Sequence, residues 1–125
     1  MNASQAVRRP EQIPDIDGLD LRPDPLTAKT PAEFVACLRC FRTWAGQPTL
    51  REIATRSRRA VSYTTIQKVL ARDDLPSLTA TLAILTGCGA THEYQQSFAT
   101  AWRRLTMAGL GLPDSITSTM ERDVP

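Results

Sequence analysis

Thr49–Leu70 reads TLREIATRSRRAVSYTTIQKVL, and it carries two helix starts in close succession. Thr49 is a capping hydroxyl with Glu52 three residues on, the reciprocal pair that satisfies two orphan amides at a helix N-terminus. Leu50, Ile53 and Ala54 then share one side, which gives a helix of about two turns. Ser62 is the next cap. Ile66, Val69 and Leu70 form the buried side of the helix it opens. Tyr63, Thr64, Thr65, Gln67 and Lys68 are left outward or oblique. The connector is Ser57-Arg58-Arg59-Ala60-Val61, rich in positive charge and without glycine.

Two short helices, a basic turn and a hydroxyl-rich second helix form the arrangement with which a helix-turn-helix meets a DNA major groove. The charge distribution agrees. The net charge is only +2, but from Phe34 to Arg72 eight basic residues face one acid, Glu52. The first 25 residues lean acidic, with Glu11, Asp15, Asp17, Asp20 and Asp24 against Arg8, Arg9 and Arg22. A basic module behind an acidic segment suits a polyanionic partner. Arg51 falls at the start of the first helix of the pair, where free amides already attract phosphate. Arg56, Arg58 and Arg59 flank the turn and Arg72 follows the second helix, all placed to follow a phosphate backbone.

Outward from this centre the chain reads as helical throughout. Thr30-Pro31-Ala32-Glu33 is a helix start with a cap, a proline at the first position and a capping-box acid. Phe34, Leu38, Phe41 and Ala45 then recur at helical spacing, with Trp44 at the edge of that face. Gly46 and Pro48 end the helix. After a loop at Arg72–Pro76, Ser77 caps a fourth helix with Leu78, Leu82, Ile84 and Leu85. Gly87 and Gly89 end it. Thr91 caps a fifth, spanning 92–107, with Tyr94, Phe98, Ala101, Trp102 and Leu105 on one face. No segment alternates with period two. The expected architecture is all-α with five helices, in three parts. Residues 1–29 form a flexible, proline-rich acidic arm, in which Ile13, Ile16, Leu19 and Leu21 could cover a groove. Residues 30–107 form the helical domain, and 108–125 a flexible tail.

Composition narrows the function. At 125 residues and 42 % hydrophobic content the chain suits one small domain with a core. No apolar run approaches the ~20 residues of a membrane span, and no apolar signal-peptide core opens the chain, so a cytoplasmic location and no membrane partner are expected. Three cysteines do not make a disulfide framework. Cys37 and Cys40 form a CxxC, and with Cys88 and His92 they could in principle hold zinc. The long gap between the pairs is unlike a zinc finger, and Cys37 falls on the core face of its helix, so no metal and no cofactor are expected. One histidine, no P-loop and no nucleophile elbow argue against an enzyme.

The order of TPAEFVACLRCFRTWAG, TLREIATRS, SYTTIQKVLARDDLPS, LTGCGA and FATAWRRL resembles the XRE, or lambda-repressor-like, DNA-binding family. It is most similar to the single-domain proteins of that family common in actinobacteria. The resemblance covers Thr30 to Leu105. It implies a five-helix DNA-binding domain that reads the major groove with helix 62–71. It puts Ser62, Tyr63, Thr64 and Lys68 at base-facing positions, and Thr65 and Gln67 nearer the backbone. Common repressors of the family carry a glycine in a shorter turn, which this chain lacks. The function expected is transcriptional regulation on double-stranded DNA. A homodimer through helix 92–107, or a partner protein through the arm, stays open. The alternative is an interaction adaptor that keeps the helix-turn-helix fold without binding DNA.

Overall fold

A computed structural model describes residues 9–111 and shows five α-helices, with no strand among the described residues. They are α1 (Pro31–Trp44), α2 (Leu50–Arg56), α3 (Tyr63–Ala71), α4 (Leu78–Gly87) and α5 (His92–Gly109). Met1–Arg8 and residues 112–125, most of the expected tail, lie outside the described residues. None of the described helices is long and apolar enough to cross a membrane.

Each helix begins where a hydroxyl meets an orphan amide. The side chains of Thr30, Thr49, Ser62, Ser77 and Thr91 accept from the amides of Glu33, Glu52, Thr65, Ala80 and Tyr94, every one at 3.1 Å. Such a cap contributes about 1 kcal/mol. At Thr49 the box is complete, since Glu52 accepts from the Thr49 amide at 2.8 Å. At Thr30 the expected box is shifted by one residue. Glu33 reaches past the cap to the Lys29 amide at 2.7 Å.

The core gathers the apolar faces of all five helices. Phe34, Leu38, Phe41, Ile53, Ile66, Ile84, Leu85 and Phe98 are buried within it. Rings from α1 and α5 interlock. Phe98 meets Phe34 edge-on at 5.6 Å and Tyr94 edge-on at 5.3 Å, and Phe41 lies 4.7 Å from Tyr94. α4 is buried on most of its circumference, through Ala80, Thr81, Ala83, Ile84, Leu85 and Gly87. At Gly87 the backbone of Ile53 in α2 comes so close that a Cβ would lie 2.8 Å from the Ile53 Cα. α2 therefore rests on α4 without an intervening side chain. The α5 edge is closed by Trp102, whose indole N–H donates to the Pro76 carbonyl at 2.7 Å. This favours a core role for Trp102 within the monomer over a dimer surface.

The segment expected to be a flexible arm is packed from Arg9 onward and forms a strap across α1 and α5. Asp15 accepts from the Trp44 indole at 2.8 Å and from the Leu21 amide at 2.8 Å. These two donors, the indole first, hold its carboxyl below the usual range. The Arg22 guanidinium lies 4.3 Å from the Tyr94 ring centre and 5.8 Å from that of Trp44. The Tyr94 hydroxyl donates to the Pro23 carbonyl, and burial pushes that phenol up from its ordinary range. Pro25 is buried in a 3₁₀ turn, Pro25–Thr27, seated against α5 and α1. Pro10 and Glu11 lie over Gly46 and Gly89, the left-handed residues that follow α1 and α4, where a Cβ would collide with them. The docking residues are thus prolines, charges and aromatics. Ile13, Ile16, Leu19 and Leu21, the expected groove-covering side chains, stay exposed.

Candidate nucleic-acid interface

The α2–turn–α3 unit is built on three buried anchors, Ile53, Val61 and Ile66. α2 ends in a Schellman motif. The Arg58 amide donates to the Thr55 carbonyl at 3.0 Å and the Arg59 amide to the Ala54 carbonyl at 2.9 Å. After α1 and α4 the matching position is glycine, Gly46 and Gly89. Here it is Arg58, at φ 57°, followed by Arg59 at φ 61°. The missing glycine has not abolished the turn; arginine has been forced into it. Left-handed backbone costs roughly 1–2 kcal/mol for a residue with a Cβ. The buried Ser57, whose hydroxyl donates to the Ala54 carbonyl at 2.8 Å, and Val61 hold the conformation from either side.

Arg58→Gly should therefore raise stability, by about 0.5–1 kcal/mol once the extra freedom of glycine in the unfolded chain is counted. A thermal melt checks it. An unchanged or lower midpoint would show that the Arg58 side chain contributes packing that outweighs the strain.

Helical geometry divides the α3 side chains. Ile66, Val69 and Leu70 point inward, which leaves Thr64, Lys68 and Ala71 at the centre of the outward face and Tyr63, Gln67, Thr65 and Arg72 on its flanks. All of these outward residues are exposed. Ser62 is exposed too, but its hydroxyl is taken up by the cap. It accepts from the Thr65 amide and lies 3.0 Å from the Thr65 hydroxyl. Tyr63 is 42 % exposed, with the Arg51 guanidinium 5.4 Å from its ring centre. Both line a shallow cleft of about 300 Å³ between α2 and α3, together with Ala54, Thr55, Arg59, Val61 and Ser62.

Not every expected backbone contact joins this face. Arg51, Arg58, Arg59, Lys68 and Arg72 are exposed and form no salt bridge among the described residues. Arg56 lies further round α2, beside Glu52, with which it pairs at 3.7 Å, and it acts electrostatically on buried Cys88. Two other arginines of the basic stretch are structural. Arg42 donates to the Pro48 carbonyl at 2.8 Å. Arg39 donates to the Leu70 carbonyl at 3.0 Å, at the C-terminal end of α3, and lies 3.7 Å from Asp73. A cation there complements the helix dipole. Thr55 and Ala71 belong to the face although the sequence reading passed them over. Thr55 could have been found, because it lies one turn after Arg51 on the same side of α2.

The cysteines and His92 do not converge. Among the described residues no three His, Cys, Asp or Glu side chains form a group that could hold a metal. Cys88 is buried, which pushes its thiol up to about 12, and burial raises the Cys37 thiol as well. Cys40 is exposed on α1. Comparison of the chain with known protein families, with curated proteins and with solved structures returns no match.

Proposed function

We propose that this chain is a DNA-binding protein of the lambda-repressor-like helix-turn-helix kind that regulates transcription by setting α3 in a major groove. One observation carries the reading: the outward face of α3 is wholly exposed beside Arg51, Arg58 and Arg59, and neither α3 nor the turn carries an acid. Lys68 and Thr64, at the centre of that face, reach base edges. Lysine donates to guanine O6 and N7, and the threonine methyl meets a thymine methyl. Gln67 and Tyr63 take the groove wall. Ser62 and Thr65, tied into the cap, orient the helix end instead of reading bases. Arg51, Arg58, Arg59 and Arg72 follow the phosphates, which positions the domain without specifying sequence.

Four phosphate contacts predict that affinity for duplex DNA falls about a hundredfold between 50 and 200 mM salt. Anisotropy of a labelled random-sequence duplex at the two salt levels measures this. No binding at the lower salt would sink the proposal and favour the adaptor. Within it, Lys68→Ala should lose about 1–3 kcal/mol on a selected site and much less on random duplex. An equal loss on both would make Lys68 a phosphate contact.

A further inference from the structure

The outward edge of the strap differs from the rest of the surface. Ile13, Ile16, Leu19 and Leu21 are 55, 72, 58 and 74 % exposed. Exposed Asp17 and Asp20 stand between them. So many large aliphatic side chains in so short a stretch make the kind of apolar patch that marks an interaction site. Arg22 lies beside these acids, and its amide donates to Asp20, but its guanidinium is held over Tyr94 and Trp44 and forms no salt bridge with Asp17 or Asp20 among the described residues. The chemistry that fits the edge is a cationic rim around an apolar floor.

The molecule carries such a surface. The cleft between α2 and α3 has Val61 and the Tyr63 ring for a floor and Arg51 and Arg59 on its rim. Arg58, in the turn, and Lys68, on α3, are exposed cations of the same helix-turn-helix unit. The strap is fastened elsewhere, by Trp44 at the end of α1 and Tyr94 in α5. No strap residue lines the cleft, and the 3₁₀ turn of the strap packs on α1 and α5, so the edge and the cleft of one molecule are not in contact.

We propose that the acidic, apolar edge of the strap docks in the α2–turn–α3 cleft of a second copy of this chain. Each copy offers one edge and one cleft, so two copies either pair reciprocally about a twofold axis or add head-to-tail in series. Opposite charges at its rim make it sensitive to salt. It occupies surface that duplex DNA would use, so the two occupants exclude each other. Both partners are this chain, and the contact stands whether or not the cleft also meets DNA.

Two charge-reversed proteins test it: Asp17→Lys with Asp20→Lys, and Arg51→Glu with Arg59→Glu. All four positions are exposed, and circular dichroism and thermal melts verify that both proteins fold. In sedimentation equilibrium at low ionic strength, the weight-average mass of the unaltered chain should climb with concentration to at least about twice that of the monomer. It should return to the monomer value in about 0.5 M salt. Each reversed protein alone should remain monomeric, because its edge and cleft carry like charge. An equimolar mixture of the two should associate again, since it contains an unaltered edge, an unaltered cleft and the fully swapped pair. An unaltered chain that stays monomeric at low salt overturns the proposal. So does a reversed protein that still self-associates, or a mixture that fails to associate.

Discussion

Phe98→Ala is expected to cost about 3–5 kcal/mol of folding stability. The ring has no solvent exposure and sits between Phe34 of α1 and Tyr94 one turn earlier in α5. Truncation removes the transfer free energy of the ring and leaves a cavity that rigid aromatic neighbours cannot collapse around. It also removes two edge-on ring contacts, each worth about 0.5–1.5 kcal/mol beyond the area they bury. A domain of this size has only about 5–15 kcal/mol in total. Urea unfolding followed by circular dichroism should show a much earlier midpoint, with a population already unfolded in buffer if the starting stability is low. A loss below about 1.5 kcal/mol would mean that the α1–α5 aromatic layer relaxes freely.

Gly87→Ala is the second large effect, and its sign runs against helix propensity. Alanine is favoured over glycine in a helix by about 1 kcal/mol, so an unhindered site would be stabilised. Here the added methyl would lie 2.6 Å from Ile53 Cγ2 and 2.8 Å from Ile53 Cα, and nearer still to the Ile53 carbonyl oxygen. Two of those atoms are backbone, and rotating a side chain does not relieve the clash. α2 has to move off α4. The net cost should be about 2–3 kcal/mol, at the upper end of what overpacking a core exacts. The displaced helix carries Arg51 and Thr55, so duplex affinity should fall as well. A melt that rises, or affinity that is unchanged while stability drops, would show that α2 and α4 yield without disturbing the cleft.

The caps were the legible part of this fold. A hydroxyl before an apolar period of 3.6 marks all five helix starts, because the signal is local: one side chain and an amide three residues on. The inward faces followed from the same period. The strap was not legible, because its fastenings join single residues far apart in sequence, Asp15 to Trp44 and Pro23 to Tyr94. Its aliphatic residues drew attention and are the ones left outside. Its prolines, which suggested an irregular arm, dock as rigid turns. At the candidate interface the outward residues of α3 were readable from periodicity. The conformation of the turn was not. A glycine-free sequence gives no sign that Arg58 and Arg59 adopt left-handed backbone, because the surrounding packing imposes it. The Glu52 pairing of Arg56 was not legible either. The place of Arg56 in a basic run suggested a cation open to a partner, but on the helix it falls one turn after Glu52, which it meets at 3.7 Å.

The strap has one more consequence, for the order in which the chain assembles. The contacts among α2, α3 and α4 join residues near one another in sequence and close short loops. Tyr94 to Pro23 spans 71 residues and Arg104 to Leu26 spans 78. Closing loops that long before the helices have packed costs entropy that nothing yet repays. The contacts of the strap with α5 are therefore laid down after the α2–α4 unit exists. By reversibility these contacts are among the first to open locally, leaving α2, α3 and α4 paired.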